Sequence, residues 1–215
     1  MKTPSLLSVL LASLLALVAV TTTFAAPYID PMDTTGPGYW ELGGGSNANP
    51  KSLTVDTTIY SQGTSSLNAT ATYNSGGSAY ADVFRNFSTP LDLSTNTTFN
   101  VDIRSTVAWS DGMYVNWQLL TVTHGTYEVT YKPASANAWY TASYTMSDFT
   151  LDSSNLTDVN YIRFRIIGDA LATLPQTVST NFDNMQIVPE PSAGLLTLLA
   201  IGGIALLKFR RLRQS

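Results

Sequence analysis

The side chains best equipped for chemistry in this chain fall at every second position of three short segments. Phe99, Val101 and Ile103 alternate with Asn100, Asp102 and Arg104. Met113, Val115, Trp117 and Leu119 alternate with Tyr114, Asn116 and Gln118, and Ile162, Phe164 and Ile166 alternate with Tyr161, Arg163 and Arg165. A period of two turns one set toward a core and the other to the outside of a β-sheet. The outward set is Asp102, Arg104, Tyr114, Asn116, Gln118, Tyr161, Arg163 and Arg165. It offers planar hydrogen-bonding groups and amphipathic rings, which suit a hydroxyl-rich ligand. If these strands are neighbours in one sheet, the eight residues form one ligand face; a merely solvated sheet surface would use the same residue types.

Catalysis has less to work with. The chain has no cysteine, which removes thiol nucleophiles, thiolate metal sites and disulfides. Neither Ser-x-x-Lys nor Gly-x-Ser-x-Gly occurs. The single histidine, His124, precedes Gly125 between two strand-like runs, where a tight two-residue hairpin turn accounts for it. A glycan-cleaving enzyme needs paired carboxylates, which can come from distant strands, but Glu41 and Glu128 are the only glutamates between the terminal segments. The expectation is a binding domain rather than an enzyme. The Asn-x-Ser/Thr sequons at Asn68, Asn86, Asn96 and Asn155 reflect a Thr- and Ser-rich composition.

The elements that must position these groups read as strands. Runs rich in Val, Ile, Thr, Tyr, Phe and Trp, separated by Gly, Asn, Asp, Ser and Pro, cover residues 65–73, 79–87, 98–105, 113–123, 126–131, 138–144, 161–167 and 180–188. They predict an all-β, antiparallel sandwich of about eight or nine strands. The pair Tyr39-Trp40, set between Gly36-Pro37-Gly38 and Gly43-Gly44-Gly45, reads as a loop, either a sugar-stacking platform or a plug over the end of the sandwich. Trp109, beside Asp111-Gly112, has the same two readings, whereas Trp117 and Trp139 are expected against the core.

Hydrophobic segments stand at both ends. Lys2, the apolar run Leu6 to Val20 and Thr23-Phe24-Ala25-Ala26 read as a secretory signal peptide cleaved after Ala25 by signal peptidase. At the other end Val188-Pro189-Glu190-Pro191 precedes an apolar run, Ala193 to Leu207, and a basic tail, Lys208-Phe209-Arg210-Arg211-Leu212-Arg213. At ~1.5 Å per residue the ~15-residue run spans roughly 23 Å as a helix, short of a ~30 Å hydrocarbon core, so a transient or marginal span is expected. An ordinary single-pass anchor with a positive-inside tail is the alternative. The expected organisation is a signal peptide helix over residues 1–25, a β-sandwich over 26–188 and a motif, transmembrane helix and basic tail over 189–213. Taking Lys2 and the four tail cations from eleven Lys and Arg leaves six against fifteen Asp and Glu, about −9. A partner with a phosphate backbone is excluded on that charge.

The C-terminal arrangement resembles the PEP-CTERM sorting signal of Gram-negative bacteria. The resemblance implies processing by an exosortase near Pro-Glu-Pro, passage through the inner membrane and release to the cell surface or extracellular matrix. The middle resembles the carbohydrate-binding modules of the galactose-binding-like jelly-roll type. The matching pieces are Ile29-Asp30-Pro31-Met32-Asp33, Ile59-Tyr60-Ser61-Gln62-Gly63-Thr64-Ser65-Ser66-Leu67, Trp139 with Met146-Ser147-Asp148-Phe149, and Asn181-Phe182-Asp183-Asn184-Met185-Gln186-Ile187. Met32-Asp33 departs from that family's acidic-aromatic-Glu opening. The resemblance implies polysaccharide as ligand and a structural Ca²⁺ near the first and last strands. Asp33 and Asp183 would be its side-chain ligands, Asp30 would be in reserve, and carbonyls near Gly63 to Ser66 would complete the shell. The alternative is that Asp30 and Asp33 are turn residues and Asp183-Asn184 only shapes a strand.

Overall fold

The computed structural model describes residues 27–75, 79–94, 96–123, 125–149, 156–168, 171 and 173–189. The signal peptide, His124, Glu190-Pro191 and the apolar and basic tail all lie outside the described residues. Among the described residues no helix is long and apolar enough to cross a membrane.

Among the described residues eleven strands form two sheets. They are β1 (Tyr28–Asp30), β2 (Trp40–Ser46), β3 (Ala48–Asp56), β4 (Ser66–Tyr73), β5 (Tyr80–Leu91), β6 (Asn96–Ser105), β7 (Tyr114–Thr121), β8 (Thr126–Tyr131), β9 (Trp139–Thr145), β10 (Val159–Ile167) and β11 (Gln176–Pro189). One sheet has the order β3-β4-β11-β6-β9 with β1 also on β11, and the other has the order β2-β5-β10-β7-β8. Every pairing between these strands is antiparallel. From β4 to β7 the chain changes sheet at each step, which decides where the site residues go.

All eight expected runs are strands, but β1, β2 and β3 exceed the expected count. Two of them carry poor strand formers. β2 contains Gly43-Gly44-Gly45, and β3 contains Asn49-Pro50. Both are terminal strands of their sheets, where an unpaired edge tolerates Pro and where Gly weakens a ladder least. The loop expected at Trp40 is therefore the start of β2. The hairpin between β7 and β8 is also longer than expected, running from Val122 to Gly125 with Thr121 N–H donating to Gly125 O at 3.0 Å. Gly125 has φ +98°, as a turn glycine there requires.

The core sits where the two inner faces meet, and a cluster of aromatic rings fills its centre. Phe164 of β10 stacks on Phe182 of β11 with centroids 4.8 Å apart, and Trp40 and Trp117 lie 5.5 and 5.3 Å from Phe164. Phe99 of β6 meets Trp117 edge-on at 6.1 Å. All five rings are buried. The alternation seen in the sequence thus correctly separates inside from outside on β6, β7 and β10.

Candidate functional site

The outer face of the five-stranded sheet is organised in cross-strand rows. In one row Asp82 of β5 lies opposite Arg165 of β10, Arg165 opposite Asn116 of β7, and Asn116 opposite Thr130 of β8. In the next row the order is Glu41, Phe84, Arg163, Gln118 and Glu128. A β-sheet brings such opposing side chains within reach of one another, and here they are wired together. Arg165 Nε and Nη2 donate to Asp82 Oδ1 and Oδ2 at 2.8 and 3.0 Å. Arg163 Nη1 lies 3.7 Å from Asp82 Oδ2, and its Nε donates to Gln118 Oε1. Gln118 Nε2 donates to Glu128 Oε2 at 2.6 Å, and Thr130 Oγ1 to Asn116 Oδ1 at 3.0 Å.

Rings frame this network at both ends. Arg165 lies over the Tyr80 ring at 4.0 Å, and Phe84 stacks on Tyr161 with centroids 4.9 Å apart and planes 11° from parallel. Trp109 is exposed, packs edge-on against Tyr114 at 5.5 Å and has Lys132 Nζ 4.1 Å above its ring. Gly43 allows the close packing at the β2 edge, because a Cβ there would lie 2.9 Å from Asp82 Cβ and from Phe84 Cδ1. The Asp82 hydrogen bonds hold Arg165 above the usual guanidinium pKa, and burial raises Tyr161 above the usual phenol value. The face therefore sets Asp82 between Arg163 and Arg165 among rings, amides and hydroxyls, with Glu41 and Glu128 on its flanks.

Six of the eight expected ligand residues share this face: Tyr114, Asn116, Gln118, Tyr161, Arg163 and Arg165. Asp102 and Arg104 do not. They belong to β6, which lies in the other sheet, so the expectation of a single eight-residue face fails. Alternation shows whether a side chain points outward, but both sheets of a sandwich have an outside. Asp102 is buried beneath the loop after β3, accepting from Ser61 Oγ at 2.7 Å and Thr141 Oγ1 at 2.6 Å. Arg104 is tied to Asn137 at 3.2 and 3.1 Å. Asp82, Tyr80 and Phe84 were not singled out in the sequence, although Tyr80-Ala81-Asp82-Val83-Phe84 carries the same period-two signal.

The three expected metal ligands do not fit calcium as a set. Asp30 turns toward the other sheet, where its carboxylate accepts from Met32 N at 2.8 Å, Trp40 Nε1 at 3.1 Å and Tyr28 Oη at 3.0 Å, and it pairs with Arg85. A carboxylate filled by four donors has little left for a cation. Asp183 faces the loop over the outside of its own sheet, taking Ser61 N at 2.8 Å and Gln62 N at 2.9 Å on Oδ2. Asp33 is exposed and bonds Thr34 Oγ1 at 2.9 Å. Among the described residues no group of three or more His, Cys, Asp or Glu side chains could hold a metal ion. Of the sorting motif, Val188 and Pro189 close β11 opposite Thr98 and Asn96, so the sandwich runs into the motif's first two residues. The two readings of Tyr39-Trp40 also separate, since Trp40 is core whereas Tyr39 is exposed beside Arg85 at 5.7 Å.

No family profile matches the chain, and no curated protein matches it. Solved structures do. The family 11 carbohydrate-binding module of the cellulosomal cellulase Lic26A-Cel5E of Clostridium thermocellum superposes with TM-score 0.53 at 15% identity, covering 77% of this chain and 96% of that one. The fold is a carbohydrate-binding-module-like jelly roll. The family 11 module from Clostridium thermocellum in complex with a β-1,3-1,4-mixed-linked tetrasaccharide gives TM-score 0.52 at 14% identity, covering 77% and 98%. The Caldicellulosiruptor saccharolyticus CBM27-1 in complex with mannohexaose gives 0.52 at 12% identity, again covering 77% and 98%.

Proposed function

We propose that the jelly roll binds polysaccharide without cleaving it, across the outer face of its five-stranded sheet. The observation that carries this reading is the Asp82–Arg165–Arg163–Gln118–Glu128 network framed by Tyr80, Tyr114, Tyr161 and Phe84. It places fixed hydrogen-bonding groups among aromatic surfaces, the combination that sugars need for their hydroxyls and their CH faces. The fold is also shared with modules crystallised with a mixed-linkage tetrasaccharide and with mannohexaose. Because Asp82 fills the Arg165 fork and Arg163 is shared between Gln118 and Asp82, the face suits neutral hydroxyls better than sugar carboxylates. The same bonding speaks against an enzyme, since Asp82 is engaged by two arginines and Glu128 by two amides.

Titrating the full-length protein with the mixed-linked tetrasaccharide and with mannohexaose tests the reading. Losing one charge-assisted hydrogen bond costs about 1.5–3 kcal/mol, so Arg163→Ala should weaken binding by about tenfold or more, with little salt dependence. Equal affinity of wild type and Arg163→Ala would move the site off this face, and binding by neither would leave a structural matrix or adhesin protein that uses the sandwich as a spacer.

In the same reading the protein is exported from a Gram-negative bacterium by its signal peptide, held briefly in the inner membrane, and sorted by an exosortase to the surface or matrix. The support is the order of motif, apolar run and basic tail in the sequence. Replacing Glu190 and Pro191 by alanine leaves β11 intact, and it should retain the protein in the inner membrane. Equal release of variant and wild type on cell fractionation would make the motif incidental.

A further inference from the structure

The outside of the six-stranded sheet, opposite the Arg163 and Arg165 face, holds a cleft of about 490 Å³. That volume lies within the ~300–1,000 Å³ range of small-ligand sites. Its floor is another cross-strand row, with Thr54 opposite Asn68, Asn68 opposite Asn181, and Asn181 opposite Arg104. The amides are fixed in advance of any ligand. Asn68 Nδ2 donates to Asn181 Oδ1 at 3.2 Å, and Asn181 Nδ2 donates to Ser66 Oγ at 3.1 Å and to Asp56 Oδ2 at 3.3 Å. Hydroxyls of Ser179 and Thr106 line the next positions, and Asp56 and Ile59 stand where the chain leaves β3. Among the described residues the charged lining groups are Asp56 and Arg104, which have opposite signs. Arg104 gives Nε and Nη2 to Asn137, and its Nη1 has no partner among the described residues.

We infer that this cleft is a second site for an uncharged, hydroxyl-rich oligosaccharide, on the side of the sandwich away from the first. Donors and acceptors are both present and the charges balance, which favours sugar hydroxyls over an ionic ligand. Preorganised amides lower the ordering cost of binding. Among the described residues no aromatic ring lines the cleft, so this is the weaker of the two sites. A domain with two opposed sites bridges two polysaccharide chains, a consequence that rests on the first face being a glycan site.

The test is calorimetric titration of the full-length protein with the β-1,3-1,4-mixed-linked tetrasaccharide, using Arg163→Ala for the first face and Arg104→Ala and Thr54→Trp for the cleft. Thr54 is exposed on an edge strand, so filling the cleft from there spares the core. Wild type should show two sites. Arg163→Ala should weaken the tighter site about tenfold and keep the other, whereas each cleft variant should weaken only the looser site, by about fivefold or more. Wild type, unlike each of these variants, should also cross-link long mixed-linkage glucan, read as a rise in viscosity. A single site that is lost in Arg163→Ala and unchanged in Thr54→Trp overturns the second cleft and leaves the first reading standing. A single site with the opposite response overturns the first reading and supports the cleft, and binding by none of the proteins overturns both.

Discussion

The ion pair between Asp82 and Arg165 should be worth more to the fold than its position on a sheet surface suggests. The Asp82 side chain is 6% exposed and that of Arg165 25%, and the contact is bidentate at 2.8 and 3.0 Å. Two charge-assisted hydrogen bonds at about 1.5–3 kcal/mol each set a ceiling of roughly 3–6 kcal/mol. Rehydration of the partly exposed guanidinium lowers that figure. Asp82→Asn, which removes the charge and keeps the shape, should therefore cost about 2–3 kcal/mol. For a domain of this size 1 kcal/mol corresponds to about 2–4 °C, giving a fall in Tm of roughly 4–12 °C. Arg165→Gln should cost a similar amount, because Asp82 then keeps only Arg163 at 3.7 Å. The double variant should fall short of the sum by about 1.5 kcal/mol, which a double-mutant cycle measures directly. Thermal and urea melts followed by tryptophan fluorescence provide the data. If the two substitutions add to within about 0.5 kcal/mol, the pair is a surface ion pair of little value, and it cannot be what holds the face in shape.

Two further perturbations follow from the packing. Asp183→Ala removes the acceptor of the Ser61 and Gln62 amides and should lower stability by about 1–3 kcal/mol. The loss should be equal with and without a calcium chelator; a wild-type Tm that falls on chelation, with Asp183→Ala unresponsive, would restore calcium to this loop. Gly43→Ala introduces a Cβ 2.9 Å from Asp82 and Phe84, so it should destabilise by about 1–3 kcal/mol. It should also weaken glycan binding through displacement of Phe84, and an unchanged Tm would mean that β2 does not approach so closely.

Much of the sandwich was legible because its interior strands obey simple rules. Val101, Ile103, Val115, Trp117, Ile162 and Phe164 alternate with polar neighbours, and each is buried. The three missed strands break the rules that make strands visible. β1 is three residues long, β2 is glycine-rich, and β3 carries proline. β1 and β2 take their strand state from partners far along the chain, Ile187 for Tyr28 and Val83 for Leu42, and β3 takes its own from the next strand, β4, so tertiary pairing overrides weak local propensity.

The site was legible in kind but not in assembly, and the reason is topological. Arg104 and Tyr114 are ten positions apart and both point outward, yet the chain changes sheet between β6 and β7. Local periodicity carries no record of that change. The same alternation that splits the expected face in two supplies Asp82, because β5 crosses over to lie beside β10. Asp82 is what relieves the repulsion between two arginines in a line and holds Arg165 in place. The charge that the sequence places in Asp102 and Arg104 is spent elsewhere. Asp102 helps anchor the loop after β3, and Arg104 closes a row of amides on the opposite surface. The buried carboxylates at Asp30, Asp82, Asp102 and Asp183 are each held by donors of the protein itself, and only Asp82 among them stands beside the arginines of the outer face.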